Sequence, residues 1–206
     1  MLNVGLTGGI ATGKSTVTHM LVKKGAYHID FDLLAHELQL PETNVWREIV
    51  SCFGAGILNQ DKTINREALG TIVFSDLAKL DRLNRIIHPP VFDAWRDKVT
   101  KISSADSQSI IISDLPLLIE GGFQYLFDVV LLVYIPPGEQ MNRLIKRNGY
   151  TSDYAEKRIA SQMAIDDKIK YAQIVFHNDG TLEETERKVN ILWQELQERE
   201  AGSRTH

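Results

Sequence analysis

A glycine-rich stretch near the N-terminus constrains the fold of this chain more than any other feature. Gly8-Gly9-Ile10-Ala11-Thr12-Gly13-Lys14-Ser15 fits the pattern G-x-x-x-x-G-K-[S/T], here called the P-loop. The apolar residues 2–6 before it predict a buried strand, and residues 14–24 after it have the apolar spacing of a helix that stops at Gly25. A strand, a glycine loop and a helix in this order indicate an α/β fold that binds phosphate.

Each constant position of the P-loop has a physical task. The glycines let successive backbone N–H groups point at phosphate oxygens, and the helix that follows adds the positive end of its dipole. We expect the Lys14 ammonium to reach the β- and γ-phosphates of ATP, and the Ser15 hydroxyl to ligate the Mg²⁺ that bridges them. The predicted nucleotide-binding residues are Gly8, Gly9, Ile10, Ala11, Thr12, Gly13, Lys14, Ser15 and Thr16.

Length and charge exclude several classes of protein. The 206 residues suit one core with inserted lobes, and the net charge of -4 disfavours a general binder of nucleic acid or membrane surfaces. The longest apolar run, residues 129–135, is far short of the ~20 residues of a membrane span. We expect a soluble, cytoplasmic protein, a monomer by default, with no nucleic-acid or membrane partner. The single cysteine, Cys52, is expected to fill a core.

Short apolar strands alternate with amphipathic helices along the chain, which predicts a parallel sheet covered on both faces. The predicted strands are residues 2–6, 27–30, 110–112, 129–135 and 174–176. The predicted helices are residues 14–24, 32–38, 137–147, 152–163 and 182–199, with residues 201–206 frayed.

Two helical insertions are expected around this sheet. Residues 42–101 are mostly helical in pattern, broken by Pro89-Pro90, and residues 103–109 form a polar loop. The predicted single domain has a core of about residues 1–31, 105–137 and 171–200. A helical lobe of about residues 32–104 would grip an acceptor, and residues 138–170 would form a lid.

Carboxylates follow two of the predicted strands. If Asp30 and Asp32 were both in extended backbone, they would face the same way and could position an acceptor hydroxyl or help hold Mg²⁺. Asp114, after residues 110–112, is a further candidate for Mg²⁺. The alternatives are that Asp32 caps the next helix and that Asp114 only ends its strand.

The P-loop alone does not say what receives the phosphate. The chain lacks the Asn-Lys-x-Asp or Thr-Lys-x-Asp motif of GTPases, and its small size favours a metabolite kinase over a motor. A different small-molecule or nucleoside kinase, and a regulatory ATPase that hydrolyses ATP slowly, remain alternatives.

An ordered set of residues is spread over nearly the whole chain. The set comprises Leu6–Thr16, Asp30-Phe31-Asp32, Leu34-Ala35-His36, Asn65-Arg66, Leu69, Phe74, Leu83-Asn84, His88-Pro89, Pro116-Leu117-Leu118, Glu120, Asp128-Val129-Val130, Gln140, Arg143, Arg147, Arg158-Ile159, Gln162 and Asn178-Asp179-Gly180. By this set the chain resembles the dephospho-CoA kinase family. Four positions depart from the family pattern. They are Phe31 in place of a small residue, Asp114 in place of an apolar or variable one, Asn148 in place of Asp, and Gln173 in place of Asp.

The resemblance implies transfer of the γ-phosphoryl group of ATP to the 3′-hydroxyl of dephospho-CoA, the last step of coenzyme A synthesis, with Mg²⁺ as cofactor. By the same resemblance Lys14, Asp32 and Arg147 would be catalytic, with Asp32 orienting the hydroxyl and taking its proton. Arg143 and Arg147, four residues apart on one helix face, would belong to a lid over ATP, unless they form an ordinary solvated face.

The resemblance also supplies an acceptor-binding set, which is Thr7, Asp32, His36, Arg66, His88 and Glu120. Each of three has a simpler alternative. His88 would end a helix, Arg66 would be a first-turn surface charge, and Glu120 would be a charge at a helix N-terminus.

Overall fold

The computed structural model describes residues 1–202, which divide into two compact units. The first unit comprises Met1–Ile29 and the chain from Ile102 onward, and the second comprises Asp30–Lys101. None of the helices within residues 1–202 is long and apolar enough to cross a membrane. Of the residues predicted to fray, Ala201 and Gly202 are helical, and 203–206 lie outside the described residues.

A five-stranded sheet forms the centre of the first unit, as predicted. Its strands are β1 (Leu2–Gly8), β2 (Tyr27–Asp30), β3 (Ile110–Asp114), β4 (Val129–Tyr134) and β5 (Ile174–His177). Their order is β2-β3-β1-β4-β5, and β1 pairs in parallel with both β3 and β4. All seven residues of β1 are buried. The P-loop therefore leaves the sheet at its central strand and at the carboxyl edge, where open α/β sheets hold their ligands.

Nine α-helices occur within residues 1–202. They are α1 (Lys14–Lys23), α2 (Phe31–Leu38), α3 (Asn44–Phe53), α4 (Arg66–Phe74), α5 (Leu77–Ala105), α6 (Pro137–Asn148), α7 (Ser152–Ala160), α8 (Ile165–Lys168) and α9 (Leu182–Gly202).

Alternate residues of the strands bury one face of the sheet under two helices. Val4 and Leu6 of β1 share a core cluster with Leu21 of α1 and with Val189 and Leu196 of α9. The apolar residues recur every second position along the strand and about every 3.6 positions along the helices, as the sequence pattern predicts. The packing holds α1, and so the end of the P-loop, rigidly against β1.

The second unit has a separate helical core. Ile49, Leu69 and Leu83 are among the apolar residues of α3, α4 and α5 that pack there. Phe31, one of the departures from the family pattern, is buried with its ring centroid 5.6 Å from that of Phe92 and 5.8 Å from that of Trp95. Cys52, expected in a core, is only partly buried.

The prediction that Pro89-Pro90 breaks the helix is wrong, because both prolines lie inside the 29-residue helix α5. Two adjacent prolines remove only two N–H donors, and the burial of Leu83, Val91 and Trp95 on either side offsets that loss. The helix also runs to Ala105, so the predicted polar loop starts later than expected. Helix α7 ends at Ala160 rather than at residue 163.

The paired orientation expected for Asp30 and Asp32 is also wrong. Helix α2 begins at Phe31, and Asp30 Oδ1 accepts hydrogen bonds from the N–H groups of Asp32 (2.8 Å) and Leu33 (3.0 Å). Asp30 is therefore the N-cap of α2, and Asp32 lies in its first helical turn. Side chains at i and i+2 share a face only in extended backbone, and the chain leaves that geometry at Asp30.

Helix α4 should depend on its N-cap. The Asn65 side chain accepts a hydrogen bond from the Ala68 N–H at 3.0 Å. We expect Asn65→Ala to lower the free energy of unfolding by about 1 kcal/mol, and Asn65→Asp, which keeps the acceptor, to lower it by much less. Urea unfolding of the two variants measures the difference. Equal losses would show that the side-chain acceptor is not what stabilises this helix end.

Candidate active site

The P-loop is a tight curve with two residues in the left-handed region. Ala11 has φ 62° and Gly13 has φ 84°. The backbone N–H and the hydroxyl of Thr12 both donate to the Gly9 carbonyl, at 3.3 and 2.9 Å. No described side chain caps α1 at Gly13, so the first N–H groups of that helix have no side-chain acceptor. A loop of this form, at a helix N-terminus, is an anion-binding site.

Side chains from later in the chain leave no room for a Cβ at Gly9 or at Gly13 of the P-loop. A Cβ on Gly9 would lie 2.5 Å from Gln140 Nε2. A Cβ on Gly13 would lie 2.3 Å from Asn178 Nδ2, in addition to the positive φ there. Both spaces are taken by amide groups that bond to the loop itself.

The Lys14 ammonium forms an ion pair and hydrogen bond with Asp114 Oδ1. Asp114 is the last residue of β3, and its side chain is only 8% exposed. Burial raises the pKa of the Asp114 carboxyl, but His28, with Nε2 3.9 Å from Oδ2, and the Lys14 ammonium more than offset this and hold the pKa below its usual range. Asp114 thus does more than end its strand, because it holds the P-loop lysine.

The oxygen ligands available around Lys14 suit a magnesium ion that also binds the phosphates. Within residues 1–202 no group of three or more His, Cys, Asp or Glu side chains is placed to hold a metal. Mg²⁺ is commonly held by one or two protein oxygens together with substrate phosphates and waters. The hydroxyl of Ser15, an exposed residue, and the Asp114 carboxylate beside Lys14 supply oxygens of that kind.

Four side chains from residues 140–178 bond to the P-loop backbone. Gln140 Nε2 donates to the Ile10 carbonyl at 2.8 Å, and Gln162 Oε1 accepts from the Ile10 N–H at 3.1 Å. Lys168 Nζ lies 3.4 Å from the Gly8 carbonyl, and Asn178 Nδ2 donates to the Thr12 carbonyl at 2.8 Å. In the sequence, Gln140, Gln162 and Asn178 stand out only through the family resemblance, and Lys168 does not stand out at all. The one local feature that could have indicated such a contact is the position of Gln140 in the first turn of an amphipathic helix.

Lys168 is completely buried and pairs with Glu120. Its Nζ lies 2.7 Å from Glu120 Oε1, which also accepts from the Met163 N–H at 3.2 Å. Glu120 lies in a turn after β3, so the alternative that it is a helix N-terminal charge is wrong. Thr7, also in the predicted acceptor set, is fully buried and donates to the Pro116 carbonyl at 3.0 Å.

The two arginines of α6 have different surroundings. Arg143 Nε donates to Glu139 Oε1 at 2.9 Å, and its Nη1 lies 4.0 Å from the position of a Cβ on Gly13. Arg147 is exposed, and its Nε donates to Asn148 Oδ1 at 2.8 Å. Arg143 is therefore beside the P-loop in this structure, whereas the predicted contact of Arg147 with phosphate stays a prediction.

Two of the predicted acceptor residues meet in the second unit. Arg66 is the first residue of α4, and its Nη2 lies 3.2 Å from Nδ1 of His36 on α2. His88 lies inside α5, so the alternative that it ends a helix is wrong. Its ring contacts that of Phe92 edge-on, with centroids 6.3 Å apart.

Protonation of His88 should weaken the fold. Burial lowers the pKa of the His88 imidazole from its usual 6.5. The unfolded chain therefore binds the proton more tightly than the folded chain does. The free energy of unfolding is highest above pH 6.5, where His88 is neutral in both states, and it declines as the pH falls from 6.5 through the lowered pKa. We expect the stability difference between wild type and His88→Asn to shrink between about pH 7 and pH 5. Urea unfolding across this range tests it. A constant difference would mean that His88 does not titrate there.

The comparisons with known proteins agree with this architecture. The dephospho-CoA kinase family model matches residues 2–184. The dephospho-CoA kinase of Syntrophus aciditrophicus is 52% identical over 200 residues, covering 97% of this chain and 85% of that protein. The dephospho-CoA kinase of Lactobacillus johnsonii is 42% identical over 193 residues, covering 94% and 97%.

Solved structures share the fold. A crystal structure from Thermus thermophilus superposes with a TM-score of 0.80 at 30% identity and covers 94% of this chain and 96% of that one. The dephospho-CoA kinase from Campylobacter jejuni superposes with a TM-score of 0.72 at 24% identity, covering 95% and 96%. By the family match and these identities, the chain belongs to the dephospho-CoA kinase family.

Proposed function

We propose that this chain transfers the γ-phosphoryl group of ATP to the 3′-hydroxyl of dephospho-CoA, giving ADP and CoA. The observation that carries the proposal is the family match over residues 2–184. The P-loop at the head of α1 supports the ATP half of the reaction, because it is an anion site with a lysine at its edge.

We assign the ATP end to the P-loop and α6. The N–H groups of residues 8–16 and the Lys14 ammonium bind the phosphates and stabilise the charge on the transferring group. The Ser15 hydroxyl and the Asp114 carboxylate would hold Mg²⁺, which would supply further neutralisation of the same charge. The Lys14 ammonium must then break its ion pair with Asp114 and bind a phosphate oxygen instead. Arg143 and Arg147 add further positive charge from the lid, residues 138–170.

We assign the acceptor end to the helical lobe, residues 32–104. Asp32 accepts a hydrogen bond from the attacking 3′-hydroxyl and receives its proton late, as the new bond forms in a loose transition state. The Arg66–His36 pair provides a cationic and a polar group that bind the acceptor. We assign His88 to the same acceptor-binding set. Thr7 and Glu120, whose side chains are bonded internally, act by holding the chain around β3.

ADP release with and without acceptor tests the proposal. Purified protein with Mg-ATP should release ADP rapidly only when dephospho-CoA is present, and CoA should accumulate in equal amount. Adenosine and AMP are the control acceptors. Turnover that follows adenosine or AMP instead would overturn the acceptor assignment, and slow turnover indifferent to any acceptor would indicate a regulatory ATPase.

A further inference from the structure

Alternate carbonyl groups of the P-loop accept hydrogen bonds from side chains that lie far away in the sequence. Lys168 Nζ lies 3.4 Å from the Gly8 oxygen, and amide nitrogens of Gln140 and Asn178 lie 2.8 Å from the oxygens of Ile10 and Thr12. In a trans peptide the C=O and the next N–H point in opposite directions. Holding these oxygens therefore aims the N–H groups of the following residues, at positions 9, 11 and 13, away from the three donors.

The Ile10–Ala11 peptide needs such support most. Ala11 is a residue with a side chain in the left-handed region, at φ 62°. For residues other than glycine, asparagine and aspartate this backbone geometry persists only when surrounding contacts enforce it, and such residues cluster at functional sites. The hydrogen bond from Gln140 to the Ile10 oxygen is a contact of that kind.

Stability does not explain why a glutamine occupies position 140. The residue is only 2% exposed, and its Oε1 is buried without a hydrogen-bond partner among the described residues. A buried acceptor left unpaired destabilises the fold by more than one additional hydrogen bond typically contributes. An apolar side chain of the same length would remove the unpaired Oε1 but would also leave the Ile10 carbonyl without this donor, so the two effects on stability oppose each other.

We propose that Gln140 is a positioning residue for phosphoryl transfer, which holds the Ile10–Ala11 peptide so that the Ala11 N–H faces the phosphates of ATP. The inference rests on the proposed use of ATP. Gln140 acts through the loop and does not touch the substrate. Lys168 and Asn178 make the equivalent contacts to the peptides on either side.

Gln140→Met tests the proposal, because methionine keeps the length, lacks the donor and removes the unpaired oxygen. We expect kcat/KM for ATP to fall about tenfold, with KM for dephospho-CoA changed less than about twofold. The melting temperature should change little, since the loss of a buried unpaired acceptor opposes the loss of the donor to the Ile10 carbonyl. ADP affinity, measured by calorimetry, should fall in parallel with kcat/KM for ATP. Gln140→Leu is the second variant if the methionine variant does not fold.

Gln173→Met is the matched control. Gln173 is exposed, and its Oε1 accepts a single hydrogen bond from the Val130 N–H at 2.8 Å, outside the P-loop. We expect its ATP kinetics and ADP affinity to match wild type. ATP kinetics and ADP affinity of Gln140→Met within twofold of wild type would overturn the inference, and so would an equal rise in KM for both substrates with a lowered melting temperature. Loss of ADP affinity in a protein that does not phosphorylate dephospho-CoA would support the inference and overturn the proposed function.

Discussion

Lys14→Met is expected to lower kcat for phosphoryl transfer by about 10³-fold or more, which is about 4 kcal/mol of transition-state stabilisation. The Lys14 ammonium is the positive charge at the head of α1, and its place at the end of the P-loop puts it where the β- and γ-phosphates bind. Methionine keeps the length of the side chain and removes the charge. Steady-state and single-turnover rates with Mg-ATP and dephospho-CoA measure the loss.

Lys14→Met also leaves the Asp114 carboxylate without its partner, in a site where the Asp114 side chain is 8% exposed. Removing one partner of a buried ion pair lowers the free energy of unfolding by about 3–5 kcal/mol. We therefore expect Lys14→Met/Asp114→Asn to regain much of that stability and none of the activity. If the double variant regained activity together with stability, the effect of Lys14 would be structural and its assigned role would be wrong.

Asp32→Asn is expected to lower kcat about 10²- to 10³-fold, with KM for ATP and for dephospho-CoA changed little. Asparagine keeps the size of the side chain and loses its basicity, so binding should survive while the proton of the 3′-hydroxyl loses its acceptor. Helix α2 should be unaffected, because Asp30, not Asp32, is its N-cap. Initial rates at saturating substrate measure the change.

Asp81→Asn is a suitable control for Asp32→Asn. Asp81 is an exposed aspartate of the same unit, and its carboxylate forms an ion pair with Arg85 at 2.8 Å on the surface of α5. Exposed pairs of this kind contribute little, so kcat should stay within about twofold. Near-normal turnover of Asp32→Asn would contradict the base and orienting role.

The parts of the fold that were predictable are those set by local pattern. The P-loop, β1 and α1 follow from a short motif with buried residues on either side, and β2 has the bounds predicted from residues 27–30. The prediction that Pro89-Pro90 breaks the helix failed because tertiary packing around Trp95 outweighs the local cost of proline in a helix. The predicted orientation of Asp32 was wrong because the helix, capped by Asp30, begins one residue earlier than expected.

The P-loop of the candidate site was predictable from its motif, whereas the contacts that distant residues make to it were not. The pairing of Lys14 with Asp114 joins residues 100 positions apart, and the bond from Gln140 to Ile10 joins residues 130 apart. Contacts between such distant residues depend on the order of strands in the sheet, which residue spacing does not encode. Lys168 had no signal at all, because a lysine between charged and apolar residues usually lies on the surface, whereas here it is completely buried.

Phosphorus NMR of the reaction products tests the central claim most directly. Wild-type protein is incubated with Mg-ATP and dephospho-CoA, and the spectrum is followed to completion. The account predicts one new phosphomonoester resonance, that of the ribose 3′-phosphate of CoA, growing in equal amount with ADP and absent with Lys14→Met. ADP formed with free inorganic phosphate and no new monoester, or a monoester at another position of the acceptor, would contradict it.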